Sequence, residues 1–169
     1  MVHSNEIEVR FDDKPADEFE SVLFTHSGAA TVSKDGVFKI YDCSPVTNRN
    51  VCKSATQDEH KIDFDLVLSH AAFGNTQIQA YAFTKSPESE YPSTTIFYYF
   101  KSHGKVWKQM IEHSSLDVAF TNDIHGFLYF SAILKPSTGT IIPEIPIYKI
   151  SPETPQEMVL FSKIDKKSL

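Results

Sequence analysis

The sequence predicts an all-β domain made of antiparallel four-stranded meanders. Three observations carry that expectation. Short runs of aromatic and β-branched residues recur along the 169 positions, bounded by Gly, Pro, Asn, Asp or Ser. No long 3.6-residue apolar periodicity competes with them. Aromatic residues make up 12% of the chain, with 13 Phe and 7 Tyr, which suits a packed globular core. The length fits one domain, residues 1–169, and is too short for two comfortable ones.

Taken in order, residues 1–16 form an acidic N-terminal segment holding a first strand, "EIEVRF" (6–11). "KPADEFESVLF" (14–24) is the one stretch with a helical look, through Phe19, Val22 and Phe24, and it merges into a strand at 21–26. Strands follow at 29–33 and 37–43, with an outer strand at 50–55. Further strands fall at 65–70, 76–85, 94–102 and 105–113, then at 117–121, 126–134, 145–151 and 157–164. They group into three units, 17–57, 60–113 and 116–164. The polar interruptions 85–93 and 135–146 read as extended hairpin loops. Pro143 and Pro146 lack an amide donor and confine that stretch to an edge or a loop.

"AATVSKDGVFKIYDCS" (29–44) is the most specific local signal. Asp35-Gly36 tolerates positive φ and closes a tight hairpin. Beyond it, Val37, Lys39 and Tyr41 share one face and Phe38, Ile40 and Asp42 the other, so the strand is expected to be covered on both sides. The stretch resembles the second and third strands of a WD-repeat blade. Thr31 and Ser33 stand in the hydroxyl-rich strand, Asp35 and Gly36 in the turn, and Tyr41-Asp42 in the place of Trp-Asp. The family's Gly-His pair is missing, and with it one part of that blade's buried hydrogen-bond network. The resemblance is specific over residues 19–55. It implies a propeller-like scaffold of about three blades in an incomplete ring, whose unpaired ends seek self-association or another protein subunit. The N-terminal strand 6–11 is available to close a smaller assembly. A calycin-like closed β-barrel or a β-sandwich is the alternative architecture, and the barrel would bind a small apolar or carbohydrate ligand.

The chain carries a net charge of −6, which argues against general nucleic-acid binding, and "KIDKKSL" at the C-terminus reads as a solvated tail. The first twenty residues resemble neither a signal peptide nor a presequence, and no apolar run is long enough to span a bilayer. Cys43 and Cys52 are therefore expected to be free thiols in a reducing compartment, cytoplasmic or nuclear.

Chemistry-bearing constellations are sparse. The histidines at 3, 26, 60, 70, 103, 113 and 125 form no metal-ligand spacing. Asp12-Asp13 and Asp63/Asp65 are expected to be solvated charge, and Cys43 has no local partner to activate it. Six glycines leave little from which to build a nucleotide loop. No cofactor and no metal are expected, and a metal-dependent enzyme is the least favoured class. The strand "IFYYF" (96–100) reads as core on both faces. Candidate partner contacts are Tyr91 and Pro92 in a loop, and Trp107. The expected function is a non-enzymatic protein–protein interaction scaffold within a multiprotein complex.

Overall fold

The computed structural model describes residues 8–46, 49–62, 66–85, 93–112, 114–134 and 144–165. In chain order the elements are β1 (Glu8–Phe11), a 3-10 turn (Ala16–Glu18), β2 (Phe19–Phe24), β3 (Gly28–Ser33), β4 (Val37–Val46), β5 (Arg49–Ser54) and β6 (His60–Lys61). There follow β7 (Leu66–Gly74), β8 (Ile78–Lys85), β9 (Ser93–Phe100) and β10 (Lys105–Glu112). The last four are β11 (Ser114–Asn122), β12 (Leu128–Leu134), β13 (Glu144–Ile150) and β14 (Val159–Asp165). They form three sheets, ordered β1-β5-β4-β3-β2 with β6 on β4, then β10-β9-β8-β7, then β11-β12-β13-β14. The fold is all-β, in antiparallel meanders. Among the described residues only β1 departs, running parallel to β5.

The helical pattern at 14–24 is realised as the single 3-10 turn, and β2 begins at Phe19. Those residues satisfy their backbone by pairing with β3 instead. Asp35-Gly36 makes the expected turn: Gly36 sits at φ 79°, its N–H donates to the Ser33 carbonyl at 2.9 Å, and the Ser33 hydroxyl accepts from Val37 N–H at 3.1 Å. Pro146 is a correction. It lies within β13, an interior strand of the third sheet, opposite Lys163 of β14. The described pairing of β13 with β12 runs only from Ile147 to Ile150, so the missing proline amide breaks no bond on that side.

The second sheet lies between the other two, and strict alternation explains how. Ile78, Ala80, Ala82, Ile96, Tyr98 and Phe100 point one way and pack with Leu128, Phe130 and Ile150 of the third sheet. Tyr81, Phe83, Phe97 and Tyr99 point the other way and pack with Ala30, Val32, Phe38 and Ile40 of the first. At that second seam Phe38 stacks on Phe97 with centroids 4.2 Å apart, and Tyr81 and Phe83 meet the Phe38 ring edge-on. β11 lies across β7, β8 and β9.

Polar ties fix the sheets in register. The buried Gln79 side chain donates to the Tyr41 carbonyl and to Asp42 Oδ1, each at 3.2 Å, and accepts from the Tyr81 hydroxyl at 2.6 Å. Gly28 lies so close that a Cβ there would collide with the Gln79 amide. On the opposite side, the turn between β13 and β14 folds back over the second sheet. The Tyr98 hydroxyl donates to the Pro155 carbonyl, His103 Nε2 meets the Pro152 carbonyl, and Gln109 Nε2 donates to the Gln156 carbonyl at 2.9 Å.

Candidate functional site

Of the residues singled out in the first unit, Thr31, Ser33 and Tyr41 lie on the outer face of the first sheet, the face turned away from the second, whereas Asp35 and Gly36 make the turn and Asp42 faces the second sheet, where Gln79 donates to it. β3 and β4 bring Thr31 opposite Lys39 there, and Tyr41 lies fully buried beside them. Its hydroxyl donates to Asp13 Oδ1 at 2.8 Å, and Lys39 Nζ pairs with Asp13 Oδ2 at 2.5 Å. Asp13 is exposed as the sequence led us to expect, but it is paired rather than free. Partial burial works against the carboxylate, but the hydrogen bonds from Lys39 and Tyr41 and the Lys39 charge outweigh it, and the pKa falls below 3.8. Burial first, and then the Asp13 carboxylate, push the Tyr41 phenol above its ordinary range. Asp12 contributes Oδ1 to the Ser54 amide at 3.3 Å. Asp63 and Asp65 lie outside the described residues.

This cluster holds a strap. β1 and β2 are the two edges of the first sheet, and residues 12–18 run between them over its outer face. Phe11 meets both Tyr41 and Phe19 at 4.9 Å, so the sheet curls until its edges share one small core. Asp13 pins the start of the strap to β4. Cys43 and Cys52 stand directly opposite one another on β4 and β5 and form a disulfide, which corrects the expectation of free thiols. Cross-strand register brings their Cα atoms to 4.0 Å, a proximity that spacing along the chain does not reveal. An aspartate that locks a strap over a sheet, beside a closed disulfide, is structural chemistry.

Trp107 is half-buried on β10, packed against the core between the second and third sheets, with Lys105 Nζ 4.4 Å from its ring. It is core more than contact surface. Its Nε1 is buried without a hydrogen-bond partner. Tyr91 and Pro92 lie outside the described residues.

The outer face of the third sheet offers a different chemistry, which the sequence reading missed. Ala119 and Thr121 of β11, Tyr129 and Ser131 of β12 and Ile147 of β13 line a shallow apolar groove of about 190 Å³. Beside it, Tyr129 meets Phe161 of β14 edge-on at 5.2 Å. Lys149 Nζ lies 4.3 Å from the Phe127 ring and 5.5 Å from that of Phe161. Phe161 is 56% exposed, and its neighbours Val159 and Leu160 are exposed too, although β14 is the outermost strand of its sheet. The groove's rim is rigid. Asp123 accepts the His125 and Phe127 amides at 2.9 and 3.0 Å and the Tyr129 hydroxyl at 2.8 Å, and Gly126 takes φ 82° to close the turn. Ile124 projects from the tip of that turn, 94% exposed. The available signal was the outward alternation of Tyr129, Ile147 and Phe161, which becomes legible only once the inward residues are known.

This arrangement presents apolar area beside the Lys149 cation and the Asp123 carboxylate. Among the described residues no group of three or more His, Cys, Asp or Glu is placed to hold a metal. No protein-family model matches the chain, and neither a curated protein nor a solved structure matches it.

Proposed function

We propose that the chain is a non-enzymatic protein–protein interaction module, a propeller-like stack of three meanders similar in plan to WD-repeat blades. The observation that carries this reading is the outer face of the third sheet. Tyr129, Ile147 and Phe161 form an apolar surface there, whereas the outer face of the first sheet is covered by the chain's own strap. Exposed contiguous apolar surface rimmed by polar groups is the usual mark of a docking site. The Cys43–Cys52 bridge removes the thiol argument for a cytoplasmic or nuclear setting and favours an oxidising one.

The test is a pull-down with wild-type protein and with Thr121→Arg, an exposed groove position. The reading expects associated chains that the variant fails to retain at unchanged melting temperature. Identical recoveries from both proteins would overturn it.

A further inference from the structure

We propose that the outer face of the third sheet seats a second copy of this chain, packed face to face about a two-fold axis. The inference rests on the interaction-module reading and adds the identity of the occupant.

Symmetry supplies the first argument. A head-to-tail stack would set the third sheet of one copy on the first sheet of the next and would grow without limit or close a ring. The strap at residues 12–18 occupies the receiving face, pinned by Asp13 to Lys39 and Tyr41, so that mode is blocked. Between sheet faces, a stack covered at one end and open at the other among its described residues pairs open end to open end. That contact is isologous and stops at two copies.

Self-complementarity supplies the second. The face carries both halves of a cation–aromatic pair, the Lys149 ammonium and the rings of Phe127, Tyr129 and Phe161. A two-fold axis brings each lysine to the rings of the other copy, where the attraction strengthens as water leaves. Among the described residues the groove lining itself carries no carboxylate, and Asp123 at its rim is occupied by the Tyr129 hydroxyl and the His125 and Phe127 amides. A strongly charged partner would find the described charges of the face already engaged, Lys149 by the Phe127 and Phe161 rings and Asp123 by Tyr129.

Area sets the strength. Four strands ~4.8 Å apart and roughly seven residues long at ~3.3 Å each present a face on the order of 440 Å². Two such faces bury roughly 900 Å², just under the ~1,000–1,200 Å² at which stable interfaces begin. The dimer is therefore a weak, concentration-dependent one. Each copy carries a net charge of −6, so added salt tightens it by screening the repulsion between copies.

Sedimentation velocity from about 1 μM to about 1 mM tests this. The expected result is a monomer–dimer equilibrium with a dissociation constant on the order of 10–100 μM, tighter in salt. Thr121→Arg should weaken it at least about tenfold, and Phe161→Ser by about three- to tenfold. Met110→Ser, exposed on the edge of the second sheet, should leave it unchanged. All three sites are exposed, so melting temperatures should hold, and a variant that unfolds is replaced by Thr121→Lys. A wild-type monomer at every concentration, assembly beyond two copies, or a dimer indifferent to the face variants would each overturn the proposal. If the wild type stays monomeric while Thr121→Arg abolishes retention of a different protein, only the occupant is wrong. If Thr121→Arg changes neither self-association nor retention, the interaction-module reading falls as well.

Discussion

The outer faces of the first and third sheets are built alike and finished differently. Both belong to terminal sheets of one stack, and both set aromatic rings outward beside a lysine. On the first sheet, Lys39 finds the Asp13 carboxylate, Tyr41 finds Phe11, and a disulfide backs the same surface. On the third, Lys149 lies over the Phe127 and Phe161 rings, and Tyr129, its hydroxyl on Asp123, meets Phe161 beside solvent. What separates them is a strap of seven residues, 12–18, that covers the first sheet and has no counterpart on the third among the described residues. A cation over rings suits an exposed face; a cation under a strap requires a counter-ion.

The largest expected effect comes from truncating matched aromatics on the two faces. Phe11→Ala, under the strap, should cost about 3–5 kcal/mol in urea denaturation, whereas Phe161→Ala should stay within ~1 kcal/mol. Equal losses would erase the distinction between a sealed and an open face. Next comes the disulfide. Reduction should remove on the order of 2–3 kcal/mol by freeing a short loop, measured as the shift in urea midpoint with and without reductant. Asp13→Ala leaves Lys39 under a loosened strap without its partner, and about 2 kcal/mol should be lost. Lys39→Met should cost less than Asp13→Ala, because a lone Asp13 can turn to water.

The smallest effect is the pH dependence of that pair. The folded-state pKa of Asp13 lies below its ordinary 3.8, so its contribution is present above that value. It is lost as pH falls below about 4 through the lowered pKa. Acid titration of stability should show this loss in the wild type and not in Asp13→Asn. Desolvation works against the Asp123 carboxylate at the rim of the open face, but the hydrogen bonds from the Tyr129 hydroxyl and the Phe127 and His125 amides lower its pKa as well, so the Asp13→Asn comparison isolates the strap's share of the acid loss.

Much of this fold was legible in the sequence because strand periodicity is local. The Asp35-Gly36 turn, the two-sided burial of 37–42 and the opposed faces of 96–100 all follow from neighbours along the chain. What stayed hidden depends on distant partners. Lys39 and Asp13 are 26 positions apart, and nothing near either residue announces the other. Cys43 and Cys52 pair through a register that only the folded β4–β5 ladder sets. Trp107 reads as a contact by residue type, yet alternation along β10 turns its ring against the core. The groove was the hardest to see, since an outward tyrosine and an inward one are the same letter until a second sheet claims one of them.

The turn at residues 151–158 carries one last consequence. It reaches past its own sheet to bind Tyr98, His103 and Gln109, so the third meander is buckled to the middle one at its far rim as well as through the core. Force applied to the outermost strands should pass into β9 and β10 before β14 peels away. A single protease cut within that turn, where Pro155 is buried and Met158 packs on the core, would loosen the far rim and turn a braced plate into a hinged flap.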